Sequence, residues 1–149
     1  MNWFLFIFGF LLIIITFLDF FHTTLSTHGY GYFSDKLNKG LKKIILSVGN
    51  PGFFKFSGLI HLLVNSFLWL AFLILGSFII FCSSDLMVVK GSTMEPASMV
   101  DRFYYTCYIV STTGIGNFVP GSPTGEIAVA VISFTGFLML TLAITYFLS

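Results

Sequence analysis

The stretch Ser111-Thr112-Thr113-Gly114-Ile115-Gly116-Asn117 lies between two long apolar segments. Its two glycines alternate with bulkier residues and follow hydroxyl-bearing side chains. Glycine adopts positive φ without strain, so alternating glycines allow successive carbonyl oxygens to point the same way. If the chain lies in a membrane, this pattern predicts a backbone whose carbonyl oxygens face ions.

The composition places the chain in a membrane. Hydrophobic residues make up 56% of the 149 residues, charged residues only 9%, and the mean hydropathy is +0.96. A soluble domain carries about 25% charged residues, so this chain has too little charge to cover a surface that faces water. The composition therefore predicts an integral membrane protein that contacts the lipid bilayer, and we expect no nucleic-acid partner.

Three apolar segments are long enough to cross a bilayer, which takes about 20 residues of helix. They cover residues 3–21, 59–82 and 127–148. The first could instead be a cleaved signal peptide, but its start lacks a basic residue. In addition, residues 19–22 are bulky where a cleavage site needs small side chains. We therefore predict an all-α membrane protein with three transmembrane helices.

Basic residues set the expected orientation. The segment 22–56 has a single acid, Asp35, whereas the segment 83–126 has four acids and two bases. Short loops rich in Lys and Arg stay on the cytoplasmic side. We therefore expect the amino terminus outside the cell, and the segment 22–56 and the carboxyl terminus in the cytoplasm. The lysines of the first segment are Lys36, Lys39, Lys42, Lys43 and Lys55.

The segment 22–56 also contains an amphipathic pattern. Apolar residues recur at helical spacing among the lysines, which favours a basic helix that lies on an anionic lipid surface. A solvated connector whose leucines pack on the protein would show the same pattern. His22 and His28 have no carboxylate or thiol at useful spacing, so we expect no resident metal or cofactor. The apolar residues are Leu37, Leu41, Ile44 and Ile45.

The segment that precedes the two glycines is aromatic and short. Residues 101–112 are too apolar for a solvated loop and too short to cross a bilayer, which is typical of a re-entrant helix. Asp101 can cap the amino terminus of this helix. Its carboxyl end then points into the membrane, where the negative end of the helix dipole favours a cation. Beyond the glycines, Pro120 prevents a helix from continuing.

Residues 104–120 resemble the pore helix and selectivity filter of the potassium-channel superfamily. The family pattern Thr-Val-Gly-Tyr-Gly-Asp corresponds to residues 112–117, and the order helix, pore loop, helix matches the family's two-helix pore unit. Residues 22–25 and 140–146 are also similar to small bacterial potassium-channel-like proteins with an extra amino-terminal helix. This resemblance implies a bacterial plasma membrane as the location.

The resemblance further implies K⁺ as the permeant ion, with no other cofactor. Backbone carbonyls of the filter replace the hydration shell of the ion, and one filter segment per chain cannot close a pore, so a homotetramer is expected. Ser111 and Asn117 would support the filter. The implied ion-binding residues are Thr112, Thr113, Gly114, Ile115 and Gly116, with K⁺ at the first four.

Three departures from the family pattern bear on selectivity. Thr113 stands where the family has Val or Ile, Ile115 where it has Tyr or Phe, and Asn117 where it has Asp. The family's aromatic ring braces the filter from behind, so Ile115 implies a softer filter. The sequence therefore leaves a weakly selective Na⁺ and K⁺ channel as an alternative. A non-conducting membrane interaction subunit is a further alternative.

Within the third span, Gly136 is a candidate hinge for an inner gate or, as an alternative, a close-packing position. The spans offer only His61, Asp19 and hydroxyl groups for chemistry, whereas catalysis needs convergent acids, bases or nucleophiles. We therefore expect no enzymatic activity.

The expected organisation has three parts. The sequence stops within an apolar run at Ser149, so we expect the native chain to continue. The parts are an amino-terminal transmembrane helix (1–21), a cytoplasmic basic amphipathic linker (22–56) and a pore domain (57–149). Within the pore domain we expect an outer helix (57–83), a pore helix and filter (101–117) and an inner helix (124–149).

Overall fold

The computed structural model describes residues 1–25, 31–48 and 57–148. Three of its helices are long and apolar enough to cross a membrane, and these spans are Trp3–Thr24, Ser57–Phe81 and Pro123–Thr145. The predicted all-α fold with three transmembrane helices and a short helix before the last one is therefore confirmed. The helices are α1 (Trp3–Leu25), α2 (Tyr32–Val48), α3 (Ser57–Phe81), α4 (Met99–Val110) and α5 (Pro123–Leu148). A 3₁₀ turn (Asp85–Met87) and two short strands, β1 (Val89–Lys90) and β2 (Phe118–Val119), lie between them.

The spanning helices differ from the predicted ranges at their ends. Helix α1 continues to Leu25 rather than ending at residue 21. In its last turns the Thr23 hydroxyl donates to the carbonyl of Asp19 (2.8 Å), so this polar side chain is satisfied within the helix. Helix α3 ends two residues earlier than expected, at Phe81. Helix α5 begins one residue earlier, because Pro123 fits the first helical position, where no N–H is needed.

Helices α1 and α3 pack closely through small residues. A Cβ at Gly9 would lie 2.6 Å from the carbonyl oxygen of Gly76, and a Cβ at Gly76 would lie 2.8 Å from Ile13. Small residues at a helix crossing allow the two backbones to approach in a membrane. At the end of the pair, the backbone N–H of Asn2 donates to the carbonyl of Ser83 (2.6 Å). The first helix is therefore an integral part of the bundle.

A buried carboxylate joins α1, α2 and α3. Asp19 is only 5% exposed. Its Oδ1 accepts from the backbone N–H of Phe33 (2.8 Å), and its Oδ2 accepts from the Ser34 hydroxyl (2.6 Å) and the Trp69 indole (2.9 Å). Burial of a charge is tolerated when it is fully hydrogen-bonded. Because Phe33 and Ser34 lie in the first turn of α2, the carboxylate also stabilises the positive end of that helix.

Helix α2 rests on α3 along one face, and its four lysines are exposed. Asn38 and Asn65 are buried and share a 3.1 Å hydrogen bond between α2 and α3. Leu37 and Leu41 are half-buried and line a crevice between α2 and α3. Whether leucines of this segment pack on the protein stays a prediction. The lipid-surface alternative stays a prediction. The side chains of Ile44 and Ile45, and all of His28, lie outside the described residues.

Candidate functional site

The short helix α4 begins with a capping box. The Ser98 hydroxyl accepts from the backbone N–H of Asp101 (3.3 Å), and the Asp101 carboxylate accepts from the backbone N–H of Ser98 (3.2 Å). The sequence named Asp101 as the cap and placed the start of the helix there. The helix instead begins at Met99, because Ser98 is the capping residue and Asp101 is its partner three positions later.

Arg102 anchors the start of α4 to the end of α3. The residue is 6% exposed, yet every nitrogen of its guanidinium finds an acceptor. Nε donates to the carbonyl of Ala97 (3.1 Å), one terminal nitrogen to the carbonyls of Phe81 and Ser84 (3.2 Å each), and the other to Asp85 (2.8 Å). The bond to Phe81 satisfies a carbonyl that the end of α3 leaves unpaired. The sequence analysis treated Arg102 only as a charge in a loop. A single arginine within an aromatic segment was an available sign that it is buried and paired.

The segment of residues 111–117, called here the glycine segment, alternates in backbone handedness. Positive φ angles occur at Thr112 (56°), Gly114 (62°) and Gly116 (84°), with negative values between them. The left-handed region costs a non-glycine residue about 1–2 kcal/mol. Thr112 therefore carries strain of the kind that clusters at functional sites. The sequence indicated the two glycines but gave no sign that Thr112 shares their conformation.

At the start of the glycine segment, backbone N–H groups are hydrogen-bonded to carbonyls of α4. The backbone N–H of Thr112 donates to the carbonyl of Ile109 (3.1 Å), and that of Thr113 donates to the carbonyl of Tyr108 (3.0 Å). The Ser111 hydroxyl also donates to Tyr108 (3.2 Å) and lies 2.7 Å from the Thr113 hydroxyl. Because a hydroxyl has one proton, Thr113 is then the donor to Ser111. Ser111 thus joins the start of the segment to α4, and its role in supporting a filter stays a prediction.

The far end of the glycine segment is held by a hairpin and by α4. Strands β1 and β2 pair antiparallel, and the N–H of Gly91 donates to the carbonyl of Asn117 (3.0 Å). The Tyr108 hydroxyl donates to the carbonyl of Phe118 (2.8 Å), and the rings of Tyr104 and Phe118 lie 6.2 Å apart, edge to face. Sequence reasoning missed both the hairpin and Tyr108. The aromatic content of α4 was the available signal.

The glycine segment is open on its other side. Every residue from 111 to 117 is exposed in the single chain, and Ile115 is 46% exposed. A Cβ placed at Gly114 or Gly116 would have no described atom within 4 Å. The segment is therefore fixed at both ends by the chain itself and presents an unpartnered backbone between them.

A model of one protein family matches residues 67–149, and its description is "Ion channel". The match covers more than half of the chain and includes most of α3, all of α4, the glycine segment and α5. The chain belongs to this ion channel family. The resemblance to a two-helix pore unit is therefore confirmed, and the family is one of channels rather than enzymes.

The chain is also similar to a curated protein, the uncharacterized membrane protein YdjJ of Bacillus subtilis (strain 168). The identity is 28% over 146 residues, which cover 95% of this chain and 42% of the relative. The chain thus spans less than half the length of that protein. The similarity includes α1 and α2, which lie outside the family match. No solved structure matches the chain.

In this channel chain, Gly136 lies at the contact between α5 and the end of α4. It is buried, and a Cβ there would overlap the carbonyl oxygen of Val110. Ile132 and Met139, one turn away on either side, are buried as well. The contact agrees with the close-packing alternative from the sequence, because only glycine allows α5 to touch the carboxyl end of α4. A hinge at Gly136 stays a prediction.

Proposed function

We propose that four copies of this chain form a potassium-conducting channel in which the glycine segment is the ion filter. The observation that carries the proposal is the alternation of handedness at 112, 114 and 116, directly after α4. The proposed ligands are backbone carbonyls. They belong to Thr112, Thr113, Gly114, Ile115 and Gly116, with Ser111 and Asn117 in support.

The electrostatics of the segment favour a cation. Alternating handedness directs successive carbonyl oxygens to one side, so that they can replace the hydration shell of an ion. The N–H groups of Thr112 and Thr113 point back to α4 and leave the open side to acceptors. The carboxyl end of α4 adds a negative partial charge of about half an electron. In a low-dielectric site that charge is screened far less than in water.

The exposed glycine segment of a single chain is the reason for proposing a tetramer. A single glycine segment supplies one wall of oxygens, and rings of oxygens need copies around an axis. Helix α5, which follows the segment, exposes large apolar side chains that can face either lipid or a neighbouring copy. They include Ile127, Val131, Phe134, Phe137 and Ile144, with exposed fractions of 49% to 67%.

We place the protein in the plasma membrane of a bacterium. The lysine-rich segment 22–56 then lies on the cytoplasmic side, where it can meet anionic lipid, and the β1–β2 hairpin lies outside. This orientation puts the amino terminus outside and the carboxyl end of α5 in the cytoplasm.

A weakly selective Na⁺ and K⁺ channel is the second candidate. Nearly half of Ile115 is exposed in the single chain, so within one chain its side chain does not brace the segment from behind as an aromatic ring would. A less rigid segment would distinguish the two ions less well. The hydrogen bonds from Tyr108 and Gly91 at the far end favour the rigid alternative.

Two measurements test the proposal. Native mass spectrometry of the purified chain should give the mass of four copies, and a monomer would contradict the tetramer. In liposomes, K⁺ flux should exceed Na⁺ flux under equal gradients. Equal fluxes would support the weakly selective channel. A tetramer that conducts neither ion would instead indicate the non-conducting interaction subunit.

A further inference from the structure

An apolar crevice of about 410 Å³ lies between α2 and α3. Its walls are aliphatic and aromatic except at Lys36 and Gly40. A volume of this size is within the range of sites that bind small molecules, about 300–1,000 Å³. The lining residues are Phe33, Lys36, Leu37, Gly40, Leu41, Leu68 and Phe72.

The wall of the crevice has a gap at Gly40, because this residue has no side chain. A Cβ at this position would have no described atom within 4 Å. Residues 36, 40 and 43 lie on one edge of α2, because positions three and four apart in a helix are neighbours. The opening is therefore flanked by Lys36 and Lys43, which are about 10 Å apart along the helix axis at 1.5 Å per residue.

The charge at this edge is exposed and largely uncompensated. Lys36 and Lys43 are exposed, and neither pairs with a carboxylate among the described residues. By contrast, Lys39 pairs with Asp35 at 2.6 Å. The crevice thus combines an apolar interior with one lysine in its lining, Lys36, and a second, Lys43, on the same edge of α2.

We propose that this crevice binds one anionic phospholipid, with part of an acyl chain beside Leu68 and Phe72 and the phosphate between Lys36 and Lys43. Helix α2 lies against α3, a helix that is apolar enough to cross the membrane, and this contact brings the crevice within reach of lipid. The apolar walls match an acyl chain, and the lysines match an anionic headgroup. The proposal does not depend on ion conduction.

Native mass spectrometry of the full chain in detergent tests the proposal. The probes are phosphatidylglycerol and phosphatidylcholine with identical acyl chains. We expect the parent protein to retain phosphatidylglycerol in preference. Lys36→Gln should lower that retention about fivefold, the effect of one charge near an anionic surface. Lys42→Gln removes the same charge from another edge of α2 and should lower it less than about twofold.

Gly40→Leu tests the crevice separately from the charge. The larger side chain fills the opening and should lower phosphatidylglycerol retention. The helix content and melting temperature should not fall, because leucine favours a helix more than glycine does. Equal retention of the two lipids by the parent would overturn the proposal. Equal losses in the Lys36 and Lys42 variants would overturn it as well, since they would indicate diffuse charge only. If Gly40→Leu changes the oligomer mass and leaves lipid retention intact, the crevice is instead an interface between copies.

Discussion

The Tyr108 hydroxyl donates a 2.8 Å hydrogen bond to the carbonyl oxygen of Phe118, which follows the glycine segment directly. This bond joins the second half of α4 to the far end of the segment, so one helix holds both ends. The N–H of Gly91 adds a bond to the carbonyl of Asn117 from the hairpin. The resemblance to potassium channels implies that an aromatic ring within the filter supplies this support. Here Ile115 occupies that position, and Tyr108 supports the segment from α4.

Tyr108→Phe should therefore loosen the glycine segment. The ring stays, and only the hydrogen bond to Phe118 is lost, a net loss of about 1 kcal/mol per chain. We expect a lower ratio of K⁺ to Na⁺ flux in liposomes. Tyr104→Phe is the matched control, because the Tyr104 hydroxyl makes no hydrogen bond within the part of the chain that the structure describes. Equal changes in the two variants would show that the Tyr108 bond does not set selectivity.

Arg102→Gln should destabilise the protein strongly. The substitution leaves the carbonyls of Phe81 and Ala97 without the Arg102 donor, and an unsatisfied buried group costs about 1–3 kcal/mol. The carbonyl of Ser84 keeps its bond from the N–H of Met87. Asp85→Asn is the control. The Asp85 side chain is 81% exposed, so losing its ion pair should cost less than about 1 kcal/mol. Thermal unfolding in detergent measures both. Similar melting temperatures for the two variants would contradict the anchoring role of Arg102.

Gly136→Ala should separate α5 from α4. The added methyl overlaps the carbonyl oxygen of Val110, and overpacking of this kind costs about 1–3 kcal/mol. At Gly58 in α3, a Cβ meets no described atom within 4 Å, so Gly58→Ala should be neutral or slightly stabilising. The melting temperatures of the two variants give the comparison. If Gly136→Ala leaves stability unchanged but alters channel opening, the hinge interpretation would replace the close-packing one.

Asp19→Asn should release α2 from the bundle. An amide has only one acceptor oxygen, so in either orientation its NH₂ group faces a donor, the Phe33 N–H or the Trp69 indole. We expect faster hydrogen exchange of α2 amides and a shifted Trp69 fluorescence in a Trp3→Phe background. Asp35→Asn, which removes the exposed pair with Lys39, should change neither signal. Unchanged exchange in Asp19→Asn would show that the carboxylate does not hold α2.

The parts of the fold that depend on local sequence could be predicted. The three spans follow from the length of the apolar segments, and the glycine segment from its own residues. The contacts of Asp19 could not be predicted, because its partner Trp69 lies 50 positions along the chain. The same holds for Arg102, whose acceptors at Phe81 and Ser84 belong to another helix end. The positive φ of Thr112 depends on bonds to α4, and its side chain gives no signal of it.

Potassium flux through liposomes that contain the parent protein or Gly114→Ala shows whether the glycine segment is an ion filter. Gly114 has a φ of 62°, where alanine is strained by about 1 kcal/mol or more, and a tetramer repeats that strain four times in one ring. Gly58→Ala serves as the control, and native mass spectrometry verifies that every variant assembles alike. We expect K⁺ flux in the parent and in Gly58→Ala. In Gly114→Ala we expect the K⁺ flux to fall by about tenfold or more. Equal flux in all three, or none in an intact parent tetramer, would contradict an ion filter at the glycine segment.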